Sequence, residues 1–459
     1  MRRIRTASIA TLGCKLNQSE SDQMARRLAE AGVRLVPFGE AADLCLINSC
    51  TVTHIGDRKS RQLIRQAVRA NPEAFVAVAG CYAELETESV AAIPGVGAVL
   101  GNRGKERLVE VLREKGLDLG NGQILPGSSV WLADATQAAG REARPAARTR
   151  AFVKIQEGCD NRCSYCIVPQ ARGKGRSRPG DEVVGEIRAL SAEGCREIVL
   201  TGVNITAYGR DRGSADSAKI ARGMGLHGLI ERILAETELS RLRLSSLQPE
   251  DWDPRFCDLW RSGRLCRQLH LSLQSGSDPV LRRMHRRYNG DRYRRIVGEA
   301  RDALPGVAIT TDVIVGFPGE TEAEQLETES FLRDIGFAGL HLFKYSPRAG
   351  TAAAEMAGQV DPRVKQDRSR RLIDLGREMG DGFRAGFEGS VLSVLWEERV
   401  PEAEARKLLN DASEVPCWSG LSDNYIRVYA RNPREVVGTI GGARVESLVP
   451  EGVAGVALR

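Results

Sequence analysis

The feature that most constrains this chain is a cysteine-rich segment at residues 158–166, with the sequence GCDNRCSYC. Cys159, Cys163 and Cys166, called here the motif triplet, follow the spacing CxxxCxxC directly after an apolar run at 152–156. A structural zinc site normally has four protein ligands, whereas three thiols without a nearby histidine leave one metal position open. A cubane iron–sulfur cluster with one open iron fits this set better. The alternatives are zinc, or buried or disulfide-bonded cysteines.

The length and composition bound the class of protein. The 459 residues suffice for two to four domains, and 42% hydrophobic with 27% charged residues is typical of a globular protein. The net charge of +6 permits a polyanionic partner without requiring one. Eleven cysteines, with the key ones in metal-like spacing, favour a reducing cytoplasm. We expect no membrane span, and we expect the basic start to be a first strand because its apolar core is too short for a signal sequence.

A second set of three cysteines is predicted from topology in residues 1–122. Short apolar runs alternate there with helix-like segments, which indicates an open parallel α/β sheet. Three runs each lead to a cysteine, and these are Cys14, Cys50 and Cys81, called here the N-terminal triplet. Since the carboxyl ends of parallel strands line one crevice, we expect the three thiols to meet there. The alternative is three small apolar cysteines at strand ends, as we expect for Cys45 inside its strand.

The middle of the chain, residues 151–380, repeats a strand followed by a helix six times. This pattern predicts a partial (β/α)6 barrel with cofactor chemistry at the carboxyl ends of the strands. Residues 123–150, irregular and somewhat basic, are predicted to be a linker. The predicted strands are 152–156, 197–201, 241–245, 268–273, 307–314 and 339–343.

The last segment, residues 381–459, contains short β-like runs separated by turns, which predicts a small antiparallel β-barrel of OB-like shape. From Arg384 onward nine basic residues face eleven acidic ones, so this domain is not a basic clamp. Contact with RNA would depend on stacking and a few phosphate contacts, whereas the same aromatic residues also suit a barrel core. The residues in question are Trp418, Tyr425, Arg427 and Tyr429.

Several motifs resemble those of the radical S-adenosylmethionine methylthiotransferases. The CxxxCxxC motif, with Tyr165 before its third cysteine, is similar to their cluster-binding loop. TLGCKLNQ at 11–18 and NSCTVT at 48–53 resemble their N-terminal domain, and GLSDNYIRV at 420–428 resembles the TRAM module, which binds RNA. The resemblance covers nearly the whole chain, in three consecutive domains.

The resemblance implies the cofactors and the residues that bind them. The motif triplet would hold a 4Fe–4S cluster whose open iron chelates S-adenosylmethionine, and the N-terminal triplet would hold an auxiliary 4Fe–4S cluster. Relatives often have an acidic residue near position 248, where this chain has Gln248. Contacts with S-adenosylmethionine are expected at Tyr165 and at strand ends, namely at Val203, Asn204, Ser245, Gln274 and Val315.

The resemblance also implies the reaction. GCKLNQ at 13–18 resembles the branch that inserts a methylthio group at C2 of N6-threonylcarbamoyladenosine at position 37 of tRNA. Two S-adenosylmethionine molecules would serve, one as radical source and one as methyl donor. The expected partners are the tRNA anticodon loop and a reducing electron donor such as flavodoxin or ferredoxin. The alternatives are a ribosomal-protein aspartate methylthiotransferase and a non-catalytic iron–sulfur protein that binds RNA.

The most basic stretch of the chain is 281–295, with seven arginines and the single acid Asp291. We expect these residues to lie on one helix after residues 274–279. Such a patch can neutralise phosphates and attract a nucleic acid. The alternative is a solvated helix face whose arginines pair with acids elsewhere in the protein.

Overall fold

The computed structural model describes residues 2–119, 149–211 and 225–458. These residues form two compact units. The first contains the N-terminal sheet together with Glu157–Asp160 and Ile167–Lys174, and the second contains residues 149–156, Asn161–Cys166 and the chain from Gly175 onward. The predicted linker lies outside the described residues, except for positions 149 and 150. Among the described residues, no helix has both the length and the apolar character needed to cross a bilayer.

The first unit is built on a five-stranded parallel sheet in the order β3-β2-β4-β5-β6. The sheet consists of β2 (Thr6–Thr11), β3 (Arg34–Leu35), β4 (Leu44–Ser49), β5 (Phe75–Gly80) and β6 (Val96–Leu100), and a separate two-stranded sheet pairs β1 (Arg2–Arg3) with β7 (Leu117–Asp118). The helices of this unit are α1 (Lys15–Glu30), α2 (His54–Ala70), α3 (Cys81–Leu85), α4 (Thr87–Ala91), α5 (Leu108–Glu114) and α6 (Val168–Arg172).

The central strands of this sheet are almost wholly buried because helices cover both faces. Every residue of β4 is buried, including Cys45 at 1% exposure, so its predicted place in the core is confirmed. Residues of β4 alternate between two apolar clusters, with Leu46 in one and Ile47 in the other. The predicted open parallel α/β sheet is therefore confirmed.

The second unit begins with the parallel strands of the predicted partial barrel. Two sheets, β12-β11-β8 and β13-β14-β15-β16, follow one another where Ser245 separates β12 from β13. The strands are β8 (Arg150–Lys154), β9 (Gln156–Glu157), β10 (Arg176–Ser177), β11 (Glu197–Thr201), β12 (Arg241–Leu244), β13 (Ser246–Leu247), β14 (Gln268–Leu271), β15 (Ala308–Val315) and β16 (Gly339–Lys344). The helices are α7 (Gly180–Ala192), α8 (Leu226–Glu236), α9 (Phe256–Leu259), α10 (Asp278–Arg283), α11 (Gly290–Ala303), α12 (Glu322–Ile335) and α13 (Pro362–Ala385).

The chain ends in a closed five-stranded barrel in the order β17-β18-β19-β21-β20. Four of its ladders are antiparallel, and the ladder between β19 and β21 is parallel. Trp396 and Trp418 belong to its core, so Trp418 is a packing residue. The elements are β17 (Val391–Arg399), α14 (Glu402–Leu409), β18 (Cys417–Ser422), β19 (Arg427–Arg431), β20 (Ile440–Val449) and β21 (Gly452–Ala457).

Buried arginines attach this small barrel to the amino ends of the parallel strands. Arg243, 1% exposed, pairs with Glu197 at 2.8 Å and donates to the carbonyl oxygen of Ser422 at 3.1 Å. Arg241, two residues earlier on the same face of β12, donates to the carbonyl oxygen of Ser393 at 2.6 Å. The carboxyl ends of the strands, where cofactor chemistry is expected, are at the opposite end of the partial barrel.

Candidate functional site

The structure brings the N-terminal triplet together at one edge of the sheet. Cys14, Cys50 and Cys81 follow β2, β4 and β5, whose carboxyl ends are neighbours. A Cβ atom placed on Gly13 would lie 3.0 Å from the Sγ of Cys50, which shows how closely the first loop approaches the second. Burial raises the pKa of Cys50 to about 11, and the nearby Cys14 and Cys81 act in the same direction. Thiols that interact in this way are placed for a shared ligand.

The backbone around these cysteines explains their position. Gly80 has φ +101°, and a Cβ at that position would lie 2.4 Å from the carbonyl oxygen of Ser49, so the turn before Cys81 requires glycine. Asn17 donates from Nδ2 to the carbonyl oxygens of Leu12, at 2.6 Å, and Ser49, at 3.1 Å. One side chain therefore ties the loops that carry the first two cysteines.

A buried group of charges lies beside the N-terminal triplet, and sequence reasoning missed it. Glu20 contacts Lys105 Nζ at 2.5 Å and Arg172 Nη1 at 2.7 Å, and all three side chains are at most 4% exposed. Arg172 also donates to Asn17 Oδ1 at 2.6 Å. Burial lowers the pKa of Arg172, but the charges of Glu20 and Cys81 outweigh it and raise that pKa well above its ordinary value. Two cations and one carboxylate leave positive charge near the thiols.

These surroundings suit an anionic cluster. Cysteine binds metal as the thiolate, and nearby cations stabilise thiolates. A structural zinc site usually takes four protein ligands, whereas three cysteine thiols suit a 4Fe–4S cluster with one open iron. The donor set therefore fits an iron–sulfur group better than a single zinc ion.

The motif triplet lies on the loop after β9. Gly158 has φ +69°, and a Cβ there would lie 2.0 Å from the carbonyl oxygen of Lys174. In the first unit the amide of Cys159 donates to the carbonyl oxygen of Gly173 at 3.1 Å. In the second unit the amide of Cys166 donates to the carbonyl oxygen of Cys163, also at 3.1 Å. All three cysteines of the motif triplet are partly exposed.

Arg286 is a second functional residue that sequence reasoning missed. Its side chain is 3% exposed, and Nη1 lies 3.4 Å from the Sγ of Cys163. Nη2 donates to Gln248 Oε1 at 2.6 Å and to Glu250 Oε2 at 3.2 Å. Burial lowers the pKa of Arg286, but Tyr288, Tyr165 and Glu250 raise it well above its ordinary value. Arg286 therefore places a fixed positive charge beside Cys163 Sγ, and Gln248 helps to hold that cation in place.

The residues predicted to contact S-adenosylmethionine differ in their packing and in their hydrogen bonds. Tyr165 packs against an apolar cluster that contains Met284 and Phe317. The amides of Val203 and Asn204 both donate to Gln156 Oε1, at 3.1 and 2.9 Å. The side chain of Asn204 accepts from Thr206 at 2.6 Å and donates to Asp251 at 3.4 Å, so protein groups already orient it.

The remaining three predicted contacts lie at or beside the ends of later strands. Ser245 Oγ is buried and has no hydrogen-bond partner within the described part of the chain, which fits a polar ligand. Gln274 has φ +69°, a strained value for a residue other than glycine and a frequent feature of ligand sites. Val315 is 1% exposed, and its carbonyl oxygen accepts from the amide of Tyr345, so its side chain belongs to the core. Ser245 and Gln274 therefore fit the cofactor best.

The arginine-rich segment forms two helices, so the prediction of one helix was wrong. The first helix, α10, ends at Arg283, and His285 in the turn that follows has φ +58°. Asn289 caps the second helix, α11, by accepting from the amide of Arg292. Arg283 pairs with Glu324 at 2.9 Å, and Arg286 is buried. The arginines whose residues are exposed are Arg282, Arg287, Arg294 and Arg295, and of these Arg287 and Arg294 also lie near acids. Only part of the predicted patch remains available to phosphates.

Comparison with known proteins identifies the family. Residues 153–332 match the model of the Radical SAM superfamily, and residues 6–101 match that of the Uncharacterized protein family UPF0004. Over 442 residues the chain is 38% identical to threonylcarbamoyladenosine tRNA methylthiotransferase MtaB of Bacillus subtilis, a match that covers 95% of this chain and 92% of that protein. The chain belongs to the radical SAM methylthiotransferase family. The cofactors of this methylthiotransferase are accordingly S-adenosylmethionine and 4Fe–4S clusters, as predicted.

The methylthiotransferase is also similar to a second tRNA-modifying enzyme and to a solved structure. It is 38% identical over 410 residues to tRNA-2-methylthio-N(6)-dimethylallyladenosine synthase of Parafrankia sp., covering 88% of this chain and 79% of that protein. The radical S-adenosylmethionine methyltransferase TsrM of Kitasatospora setae, solved with cobalamin and a [4Fe-4S] cluster, matches 77% of this chain and 74% of its own with a TM-score of 0.54. At 15% identity, that likeness shows the fold alone.

Proposed function

We propose that this methylthiotransferase inserts a methylthio group at C2 of N6-threonylcarbamoyladenosine at position 37 of tRNA. The observation that carries this proposal is the match to the Bacillus subtilis relative named for that nucleoside, which spans 95% of this chain. The match to the dimethylallyladenosine enzyme covers less of both chains. The segment GCKLNQ at 13–18, which resembles the threonylcarbamoyladenosine branch, supports the same substrate.

Each cysteine triplet would hold one 4Fe–4S cluster. When bound, the cluster on the motif triplet supplies the electron that cleaves S-adenosylmethionine to the 5′-deoxyadenosyl radical needed for an unactivated C–H bond. Arg286 positions Cys163 and keeps a positive charge beside it. Glu20, Lys105 and Arg172 provide the charged setting of the N-terminal triplet, which would carry the sulfur to be transferred. Ser245 and Gln274 are proposed contacts for S-adenosylmethionine.

The proposed partners follow from the same reaction. Position 37 lies beside the anticodon, where loop bases can leave their stack, so the anticodon loop is the proposed contact. A reducing electron donor such as flavodoxin or ferredoxin would supply the single electron. All eleven cysteines are free, which supports a cytoplasmic location.

Single cysteine substitutions test the division of labour between the triplets. We expect Cys163→Ala to abolish the reductive release of 5′-deoxyadenosine, since one cluster ligand is lost. Cys50→Ala is expected to retain some release but to form no methylthiolated nucleoside. Both products are measured by mass spectrometry after anaerobic reaction with tRNA that carries threonylcarbamoyladenosine.

The control is Cys257→Ala, because Cys257 is partly exposed, as the motif cysteines are, and lies in neither triplet. Robust product formation by the Cys50 variant would remove the role of the N-terminal triplet. If tRNA nucleosides are unchanged in cells without the protein while a ribosomal-protein aspartate loses its methylthio group, the protein-modifying alternative is correct. RNA binding without any release of 5′-deoxyadenosine would indicate a non-catalytic protein.

A further inference from the structure

Two histidines and an aspartate lie together in the second unit, away from both cysteine triplets in the sequence. His270, Asp312 and His341 stand on the adjacent parallel strands β14, β15 and β16. The register pairs His270 with Thr310 and Asp312 with His341, and side chains two residues apart share a face of a strand. The sheet therefore brings the three side chains to one face.

That face is the interior face of the partial barrel. Leu340 packs on the helix side, since a Cβ on Gly376 of α13 would lie 3.4 Å from Leu340 Cδ1. His341, the next residue, points to the opposite side because side chains alternate along a strand. The buried fraction falls along the row: His270 is 7% exposed, Asp312 22% and His341 54%. The three side chains therefore become more exposed from His270 on β14 to His341 on the edge strand β16.

The geometry places each carboxylate oxygen of Asp312 against a different imidazole. His270 Nε2 lies 3.2 Å from Oδ2, and His341 Nδ1 lies 3.3 Å from Oδ1. The two imidazole rings are stacked, with centroids 5.1 Å apart and planes 26° from parallel. Among the described residues, this is the group of histidine, cysteine and acidic side chains whose ligand atoms all lie within 4.8 Å of one another.

The two nitrogen–oxygen separations, one to each oxygen of Asp312, are of the size found in a metal coordination shell. Zinc bonds to histidine nitrogen and carboxylate oxygen are about 2.0–2.1 Å long, so ligand atoms at tetrahedral angles lie roughly 3.3 Å apart. Two histidines and one carboxylate are the ligand set of several catalytic zinc sites and of non-haem iron(II) sites, which keep positions open for water or substrate. The carboxylate of Asp312 also supplies negative charge to a divalent cation.

A further hydrogen bond supports His270 as a ligand. Its other ring nitrogen, Nδ1, lies 3.0 Å from Thr310 Oγ1, which accepts from Gln268 Nε2 at 3.3 Å. Metal-binding histidines usually have their second nitrogen held by such a partner, which fixes the orientation of the ring. His270 is therefore oriented before any ion binds.

We propose that His270, Asp312 and His341 bind one divalent transition-metal ion, Zn²⁺ or Fe²⁺, at the interior face of the barrel. The donor atoms of this site differ from those of the cysteine triplets. It offers nitrogen and oxygen, whereas the triplets offer sulfur. Three protein ligands leave at least one position open, and this position takes water or an oxygen ligand that enters the barrel.

Zinc binding by the cluster-loaded protein tests the proposal. Full-length protein with reconstituted iron–sulfur clusters is dialysed anaerobically against buffered micromolar Zn²⁺, and bound zinc is measured by mass spectrometry. We expect one zinc per chain, and we expect His341→Ala and Asp312→Asn each to weaken binding at least tenfold. Thr310→Val keeps all three ligands and is expected to lower affinity by roughly 10- to 100-fold. His227→Ala is the control, since His227 pairs with Glu231 on a helix elsewhere.

X-ray absorption at the zinc edge separates this site from adventitious binding at cysteines. Nitrogen and oxygen neighbours at about 2.0–2.1 Å, lost in the His341 variant, support the proposal, whereas sulfur neighbours at about 2.3 Å overturn it. Equal zinc content in wild type and in both ligand variants also overturns it, and then the three side chains form only a hydrogen-bonded group. Because His341 is half exposed on an edge strand, its replacement is expected to leave the fold intact, which circular dichroism verifies.

Discussion

Replacing Glu20 by glutamine is expected to destabilise the first unit strongly. The substitution keeps the size of the side chain and removes the carboxylate charge that contacts both Lys105 and Arg172. Both cations are at most 4% exposed and have no route to water without local unfolding. An uncompensated buried charge is the costly outcome of breaking a buried ion pair.

The magnitude follows from this burial. Removing one partner of a buried pair costs about 3–5 kcal/mol, a large part of the roughly 5–15 kcal/mol that stabilises a typical domain. Glu114 provides the comparison, because it pairs with Arg107 at 3.1 Å while both side chains are about two-thirds exposed. An exposed pair of this kind contributes only about 0–1 kcal/mol. Glu114→Gln therefore makes the same chemical change in the same unit at little expected cost.

Hydrogen exchange measured by mass spectrometry reads the opening free energy of the first unit directly. Peptides that cover β4 and β5 are followed, since these strands form the buried centre of the sheet. A loss of 3–5 kcal/mol corresponds to exchange roughly a hundredfold to several thousandfold faster in Glu20→Gln, because about 1.4 kcal/mol is a factor of ten. If exchange in Glu20→Gln rises less than tenfold above that in Glu114→Gln, the buried charges do not stabilise the unit as argued.

Two further predictions concern the backbone and the structural cysteines. Gly80→Ala is expected to lower the free energy of unfolding by several kcal/mol more than Gly116→Ala, as measured by shifts in the denaturation midpoint. Both glycines have positive φ, but a Cβ at Gly80 would meet Ser49, whereas a Cβ at Gly116 would meet nothing within 4 Å. Equal costs would show that backbone conformation alone matters. Burial raises the pKa of Cys195 and Cys266 to about 12, so both are neutral thiols at pH 8 and should resist alkylation until the protein unfolds. Rapid labelling of either one in the native protein, followed by peptide mass spectrometry, would contradict this.

Local sequence patterns predicted most of the fold. The alternation of apolar runs and helical segments predicted the parallel strands of both units closely, because most of these strands are buried and contain several consecutive or alternating apolar residues. The two helices at 278–303 were the exception, because the turn at His285 uses a left-handed backbone that its sequence does not announce. The cysteine triplets followed from spacing and from the rule that parallel strands end at one edge.

The charged partners of the cysteines were not predictable in this way. Glu20 meets Lys105 across 85 residues and Arg172 across 152 residues, and no periodicity links positions so far apart. Arg286 stood within a run of arginines that looked uniform, although burial separates it from its exposed neighbours. The sequence does not show which residues are brought together by the tertiary fold. An arginine can therefore be a surface charge or the partner of a cysteine sulfur, depending on where the fold places it.

The buried arginines at the amino ends of the parallel strands bear on how the C-terminal barrel should be studied. Arg241 and Arg243 donate to carbonyl oxygens of that barrel, and their side chains are nearly inaccessible to water. A shortened protein that ends before Ser390 would leave these guanidinium groups without their carbonyl partners. It would also expose the amino ends of the parallel strands to solvent. Loss of tRNA binding after such a deletion would then report damage to the catalytic domain. Because the ring centroid of Tyr425 lies 5.2 Å from Arg243 Cζ, RNA contacts are better mapped with point changes at exposed residues that do not touch these two arginines.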